Sequence, residues 1–115
     1  MGYNLKKLTK ELQEKGLSDD GLVAYGQRSS GALTSLLLPM YAISKVGNNI
    51  LIIPFTNKRI EDENKKEINS SDIVEAKVSG LLIGKLKIKT TKGNVVFPIL
   101  QGKGSVKQIL LKLGF

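Results

Sequence analysis

Turn signals punctuate this chain between residues 18 and 94, and from residue 47 onward they fall so closely that no segment between them has room for a long helix. The breaks fall at Ser18-Asp19-Asp20-Gly21, Gly47-Asn48-Asn49, the polar stretch 61–66, Ser70-Ser71-Asp72, Ser79-Gly80 and Thr91-Lys92-Gly93-Asn94. What lies between is short and β-prone: the opening of a strand at Leu22 to Gln27, the β-branched run Ile50 to Ile53, Glu67 to Asn69, the alternating Val74 to Val78, Leu82 to Thr91, and Val95 to Leu100. Only after residue 104 does the period change. Val106, Ile109, Leu110 and Leu113 fall on one face of a helix, with Ser105 as the expected N-cap. Gly114 stands where a left-handed C′ residue belongs, and Phe115 can supply the hydrophobic contact after it. Six or seven short strands at this spacing predict an antiparallel sandwich or barrel, with the final helix plugging an open end.

A second, narrower leucine stripe precedes the strands. Leu5, Leu8 and Leu12 recur at helical spacing among charged residues, Asn4 can cap the start, and Gly16 can stop the helix. This predicts an N-terminal helix over residues 1–19 that packs on the body or mediates a contact, and a β domain over residues 20–115. At 115 residues the chain fits one core, burying roughly two-thirds of its unfolded surface without a staple. It contains no Cys and no His, so thiol nucleophiles, histidine bases and Cys/His zinc sites are excluded. No catalytic motif stands out among the remaining residues; no enzyme activity, cofactor or metal is expected. The acidic run Glu61-Asp62-Glu63-Asn64 lacks the spacing of a calcium loop.

The net charge is +8, and it is unevenly placed. Residues 1–21 balance, residues 22–60 carry only basic charges, and residues 61–75 are acidic; residues 76–115 hold eight lysines and no acid. Such lysines can solubilise a β-rich domain and blunt its edges, or they can face an anionic partner. The N-terminal segment alternates charge with leucine and lacks the apolar run of a leader. The longest apolar stretch, 36–43, falls well short of the ~18 residues of a spanning helix. The expectation is a cytoplasmic protein, with peripheral membrane contact as a variant of it.

The order of elements resembles the pleckstrin-homology-like (PH-like) fold, a bent antiparallel sheet or barrel closed by a C-terminal helix. The local sequence carries the resemblance further. Bacterial PH-like domains, and more distantly GRAM domains, end a strand in T-[DN]-[KR]-R-[IL] and then pass through a hairpin to a D-I step. This chain reads Thr56-Asn57-Lys58-Arg59-Ile60 after Ile50 to Phe55, and later Glu67-Ile68-Asn69-Ser70-Ser71-Asp72-Ile73. It departs in continuing with Glu61-Asp62-Glu63 rather than apolar residues, and in its long apolar segment 33–46. The resemblance implies a mainly β (α+β) fold over residues 20–115, leaves the N-terminal helix as an addition, and implies a binding or assembly module. It does not name the ligand.

Three groups are candidate contacts. Lys58 and Arg59 can form an anion site, Arg59 through its guanidinium fork; alternatively Thr56 and Asn57 stabilise a turn while Arg59 pairs with a nearby acid, Glu61 or Asp72. Lys85, Lys87 and Lys89 alternate with Leu86 and Ile88, which aligns the lysines on one strand face at about 6.6 Å intervals, extended by Lys92. Leu36, Leu37, Leu38, Met40, Tyr41 and Ile43 either complete the core or, if exposed, form an interface or membrane patch. Within that segment Pro39 argues against a central strand. The Gln101-Gly102-Lys103-Gly104-Ser105 connection reads as a flexible link ending in a helix cap. The first expectation for a partner is a protein or a second copy of the chain, through residues 33–46. The second is anionic lipid, through that segment and the lysine row. Nucleic acid is the third and the least supported, because no aromatic interleaves with the lysines to stack a base.

Overall fold

The N-terminal leucine stripe folds into α1 (Leu5–Glu14). Asn4 caps it, its side chain accepting from the Lys7 N–H at 2.8 Å, and Gly16 ends it with a positive φ of 73°. The computed structural model describes residues 4–27, 40–56, 58–80 and 84–115. Beyond α1 come β1 (Ala24–Gln27), β2 (Met40–Val46), β3 (Asn49–Phe55), β4 (Lys66–Asn69), β5 (Ile73–Ser79), β6 (Gly84–Thr90), β7 (Gly93–Ile99) and α2 (Lys103–Lys112). Every strand pairing is antiparallel, in two sheets of order β1-β2-β3-β4 and β5-β6-β7.

The fold is therefore mainly β with a C-terminal helix, but among the described residues neither sheet closes into a barrel. The break lies between β4 and β5. There the chain turns through a short 3-10 segment, Ser70–Asp72, capped by the Asn69 side chain, which accepts from the Ser71 N–H at 2.9 Å. That corner points β5 away from β4, so the two strands share no ladder. On the other side the sheets meet at one bridge, Tyr25 to Gln101.

The first sheet is buried on both faces. One face packs under α1, where Leu8, Leu12 and Leu17 join Ala42, Leu51, Ile53, Phe55 and Ile60. The other holds Tyr41, Ile43, Ile50, Ile52 and Ile68 against Leu86, Ile88, Phe97 and Ile99 of the second sheet and Val106, Ile109 and Leu110 of α2. Strands buried on both faces read as continuous apolar runs, which explains why Ile50 to Ile53 does not alternate. The second sheet is buried on one face only, so β6 alternates strictly.

Two local expectations are corrected. The β2 strand is central, between β1 and β3, and runs from Met40, although Pro39 argued against a central strand; Pro39 itself lies outside the described residues. Helix α2 starts two residues before Ser105, and its N-cap is Gly102 at φ 93°. A Cβ on Gly102 would lie 2.5 Å from the Ala24 Cα, so close backbone approach selects the glycine. The end of α2 follows the sequence reading: Gly114 is left-handed at φ 93°, the Phe115 N–H donates to the Leu110 carbonyl at 2.8 Å, and Phe115 packs on the core. Among the described residues no helix is long and apolar enough to cross a membrane.

Candidate anion-binding surface

The strict alternation of β6 puts Lys85, Lys87 and Lys89 outward and Leu86 and Ile88 into the core. Register supplies what alternation alone could not. Lys77 of β5 stands beside Lys87, with Glu75 beside Lys89 and Ser79 beside Lys85. On the other flank β7 sets Asn94 beside Lys89, Val96 beside Lys87 and Pro98 beside Lys85. The outer face thus carries four lysines on strand positions and a single carboxylate, Glu75. Among the described residues none of these lysines forms an ion pair. A shallow depression lined by Glu75, Lys77, Lys87, Lys89, Asn94 and Val96 runs across it. Neighbouring strands are about 4.8 Å apart, close enough for all four ammonium groups to act on one ligand surface.

Lys92 occupies the tip of the β6–β7 hairpin rather than a strand position. Its N–H donates to Thr90 Oγ1 at 3.1 Å, and Thr90 Oγ1 donates to the Gly93 carbonyl at 2.8 Å. The tip also borders a concavity of about 310 Å³ between the sheets, floored by Ile68 and Val95 and rimmed by Lys66 and Lys92.

The other candidates do not join this face. Thr56 Oγ1 accepts from the N–H groups of Lys58 and Arg59 at 3.2 and 3.3 Å, so the turn chemistry is realised for Thr56; Asn57 lies outside the described residues. The Arg59 guanidinium binds Glu63 at 2.5 and 3.0 Å, a third acid rather than the two expected from sequence. Glu63 reaches it because residues 62–64 form a 3-10 turn. Lys58 and Arg59 sit beside α1, in a depression shared with Glu11, Glu14, Lys15 and Asp62, where three carboxylates offset the basic charge.

The apolar group divides. Tyr41 is 5% exposed and Ile43 fully buried, so these two are core and are withdrawn from any docking patch. Strand parity turns both toward the second sheet, where Tyr41 packs edge-on against Phe97 at 5.7 Å and donates its hydroxyl to the Pro98 carbonyl at 2.6 Å. Met40 is half-buried against the α1 cluster. Leu36, Leu37 and Leu38 lie outside the described residues.

Sequence reasoning missed an ionic cluster that ties both chain ends to the first sheet. Lys45 Nζ lies 3.0 and 3.1 Å from the two Asp19 carboxylate oxygens and 3.3 Å from the Gly47 carbonyl. The second acid, Asp20, reaches Lys45 at 3.8 Å and Lys112 of α2 at 3.3 Å. Partial desolvation pushes the Asp19 carboxyl up, but the Gly47 N–H at 2.8 Å and the Lys45 ammonium outweigh it and hold the group below its usual range. Beside it Ser44 donates to the Leu17 carbonyl at 2.6 Å. These contacts span residues far apart in sequence, and Lys45 in an apolar run was the only local sign of them.

The segment Gln101 to Ser105 is anchored at two points. Its Gln101 carbonyl accepts from Tyr25 N–H at 2.9 Å, and Lys103 Nζ donates to the Gly80 carbonyl. Compared with protein-family models, with curated proteins and with solved structures, the chain matches none.

Proposed function

We propose that this chain is a non-catalytic binding module of the PH-like type, which docks a polyanionic partner on the outer face of the β5-β6-β7 sheet. The observation that carries the reading is the lysine cluster itself: four ammonium groups on neighbouring outward strand positions, one carboxylate among them and, among the described residues, no ion pair to neutralise them. A surface built only for solubility gains from mixed signs, whereas one sign concentrated on a sheet face attracts counter-charge and steers its approach. The PH-like assignment is supported by the Thr56 to Ile60 motif and by the order of elements, four strands, three strands and a terminal helix. Docking or self-association through residues 33–46 is less favoured, because Tyr41 and Ile43 are spent in the core.

Retention on a phosphate-bearing cation-exchange resin tests the reading. The variant Lys85→Glu/Lys87→Glu/Lys89→Glu is compared with Lys6→Glu/Lys10→Glu/Lys15→Glu on α1 and its C-cap, which changes net charge equally. Elution of the first at clearly lower salt than the second supports a localised site. Equal elution of the two refutes it and leaves only net charge.

A further inference from the structure

Strand β5 stands at the edge of its sheet. Among the described residues its only ladder is with β6, and residues 74–79 make no other backbone hydrogen bond. A row of unpaired N–H and C=O groups is a template for another strand. Proteins protect such edges with proline, with short strands or with charges that repel a second copy. Strand β5 has seven residues and no proline, and its two charges, Glu75 and Lys77, are of opposite sign. Both are exposed on the outer face, and among the described residues neither forms an ion pair.

That spacing suits one occupant in particular, the same strand of a second copy. Residues directly opposed in an antiparallel pair share a face of the sheet. A two-fold pairing of β5 with itself that continues the sheet must therefore centre on a residue. Centring on Glu75 would set glutamate against glutamate, and centring on Lys77 would set lysine against lysine; both are destabilising. Centring on Ala76 sets Glu75 against the partner's Lys77 and Lys77 against the partner's Glu75. The same register places Ala76 against the partner's Ala76 on the axis and Val74 against the partner's Val78. Val74 is 60% exposed, and the register shift between Ile73 and Glu75 leaves it out of the ladder with β6. Ala76 and Val78 are only partly buried against the core. One register thus serves the charges, the small apolar side chains and the unpaired backbone together.

We infer that the β5 edge pairs antiparallel with the β5 edge of a second copy of this chain, about a two-fold axis at Ala76, joining two three-stranded sheets into one. A patch complementary to itself is what an isologous dimer requires. A single ladder buries less than a standard interface, so the dimer is weak and forms as concentration rises. Edge pairing needs no polyanion, so its failure leaves the reading of the lysine face untouched.

Sedimentation equilibrium of the full chain, with no polyanion present, tests the pairing from about 1 μM to about 1 mM, the range in which a small interface associates. The expected result is a monomer–dimer equilibrium within that range. Glu75→Lys and Lys77→Glu each turn two attractive contacts into two like-charge contacts and should weaken the dimer about tenfold, although one raises the net charge and the other lowers it. The exchange Glu75→Lys/Lys77→Glu should return affinity to within about twofold of the wild type. An equimolar mixture of the two single variants should form heterodimers, because each chain then meets the opposite charge. Both side chains are exposed, and circular dichroism checks the fold of each variant. A chain that stays monomeric across the range overturns the inference, as does a dimer indifferent to either single change. So does a weakened dimer that the exchange or the mixture fails to restore.

Discussion

A methyl group added at Gly26 should open the seam that joins the two sheets. Gly26 lies where β1 passes β7, and an ideal Cβ there would sit 1.9 Å from the Pro98 carbonyl oxygen and 2.9 Å from its carbon. A carbon and an oxygen in contact need about 3.3 Å, so the strands must part by about 1.4 Å. The seam is held by three backbone hydrogen bonds: Tyr25 N–H to the Gln101 carbonyl at 2.9 Å, and the Leu100 and Gln101 N–H groups to the Tyr25 carbonyl at 2.8 and 3.2 Å. The Tyr41 hydroxyl adds a fourth, to the same Pro98 oxygen, at 2.6 Å. A displacement of that size lengthens all four beyond hydrogen-bonding range. At about 1 kcal/mol net for each bond, less about 0.5 kcal/mol gained because alanine narrows the unfolded ensemble, Gly26→Ala should cost about 3.5 kcal/mol. For a domain of this length that lowers Tm by about 15 °C. Urea unfolding followed by far-ultraviolet circular dichroism measures it. Gly104→Ala is the control: apart from its chain neighbours and its own helix backbone, no atom would lie within 4 Å of its Cβ, and in α2 it should stabilise by about 0.5 kcal/mol. A Gly26→Ala cost below about 1 kcal/mol would mean that the seam does not hold the sheets together, refuting the reasoning.

Two further expectations concern the ends of the chain. Leu12 is fully buried between α1 and the first sheet, so Leu12→Ala should cost about 2–4 kcal/mol in urea unfolding; a loss under about 1 kcal/mol would show α1 to be an appendage. Asp19 has a lowered pKa in the folded chain, so it binds a proton less readily than in the unfolded chain. Its stabilising share is complete above the ordinary carboxylate pKa of about 3.9 and disappears as pH falls through the lowered folded value. Asp19→Asn should therefore flatten the acid limb of the Tm-against-pH profile between about pH 5 and 3, and an unchanged limb would show that the contact with Lys45 and Gly47 carries no linkage.

Residues whose structure depends on near neighbours were legible from sequence. The Asn4 cap, the Leu8 and Leu12 face of α1, and the Gly114 stop with Phe115 behind it are each settled within about two helical turns. The lysine row on β6 was legible for the same reason, since side-chain direction in a strand alternates whatever the strand pairs with. Ser105 shows where local reasoning fails: it is a good cap by composition, but close packing of Gly102 on Ala24 started the helix earlier. Tyr41 and Ile43 show the same limit, because an apolar run is equally consistent with a two-sided core strand and an exposed patch until its neighbours are known.

The chain's own order of residues determined that it would be mainly β, where most turns fall, which helix faces are apolar, and that histidine and cysteine chemistry is absent. Those properties arise from periods of two and 3.6 residues and from composition, and they need no distant partner. Tertiary structure alone decided the division into four and three strands, the glycine-tight seam between β1 and β7, the Lys45 cluster with Asp19 and Asp20, and the placing of Lys77 and Val96 on either side of the β6 lysines. Each of these follows from which strands lie side by side, and strand register is set by packing between segments far apart along the backbone.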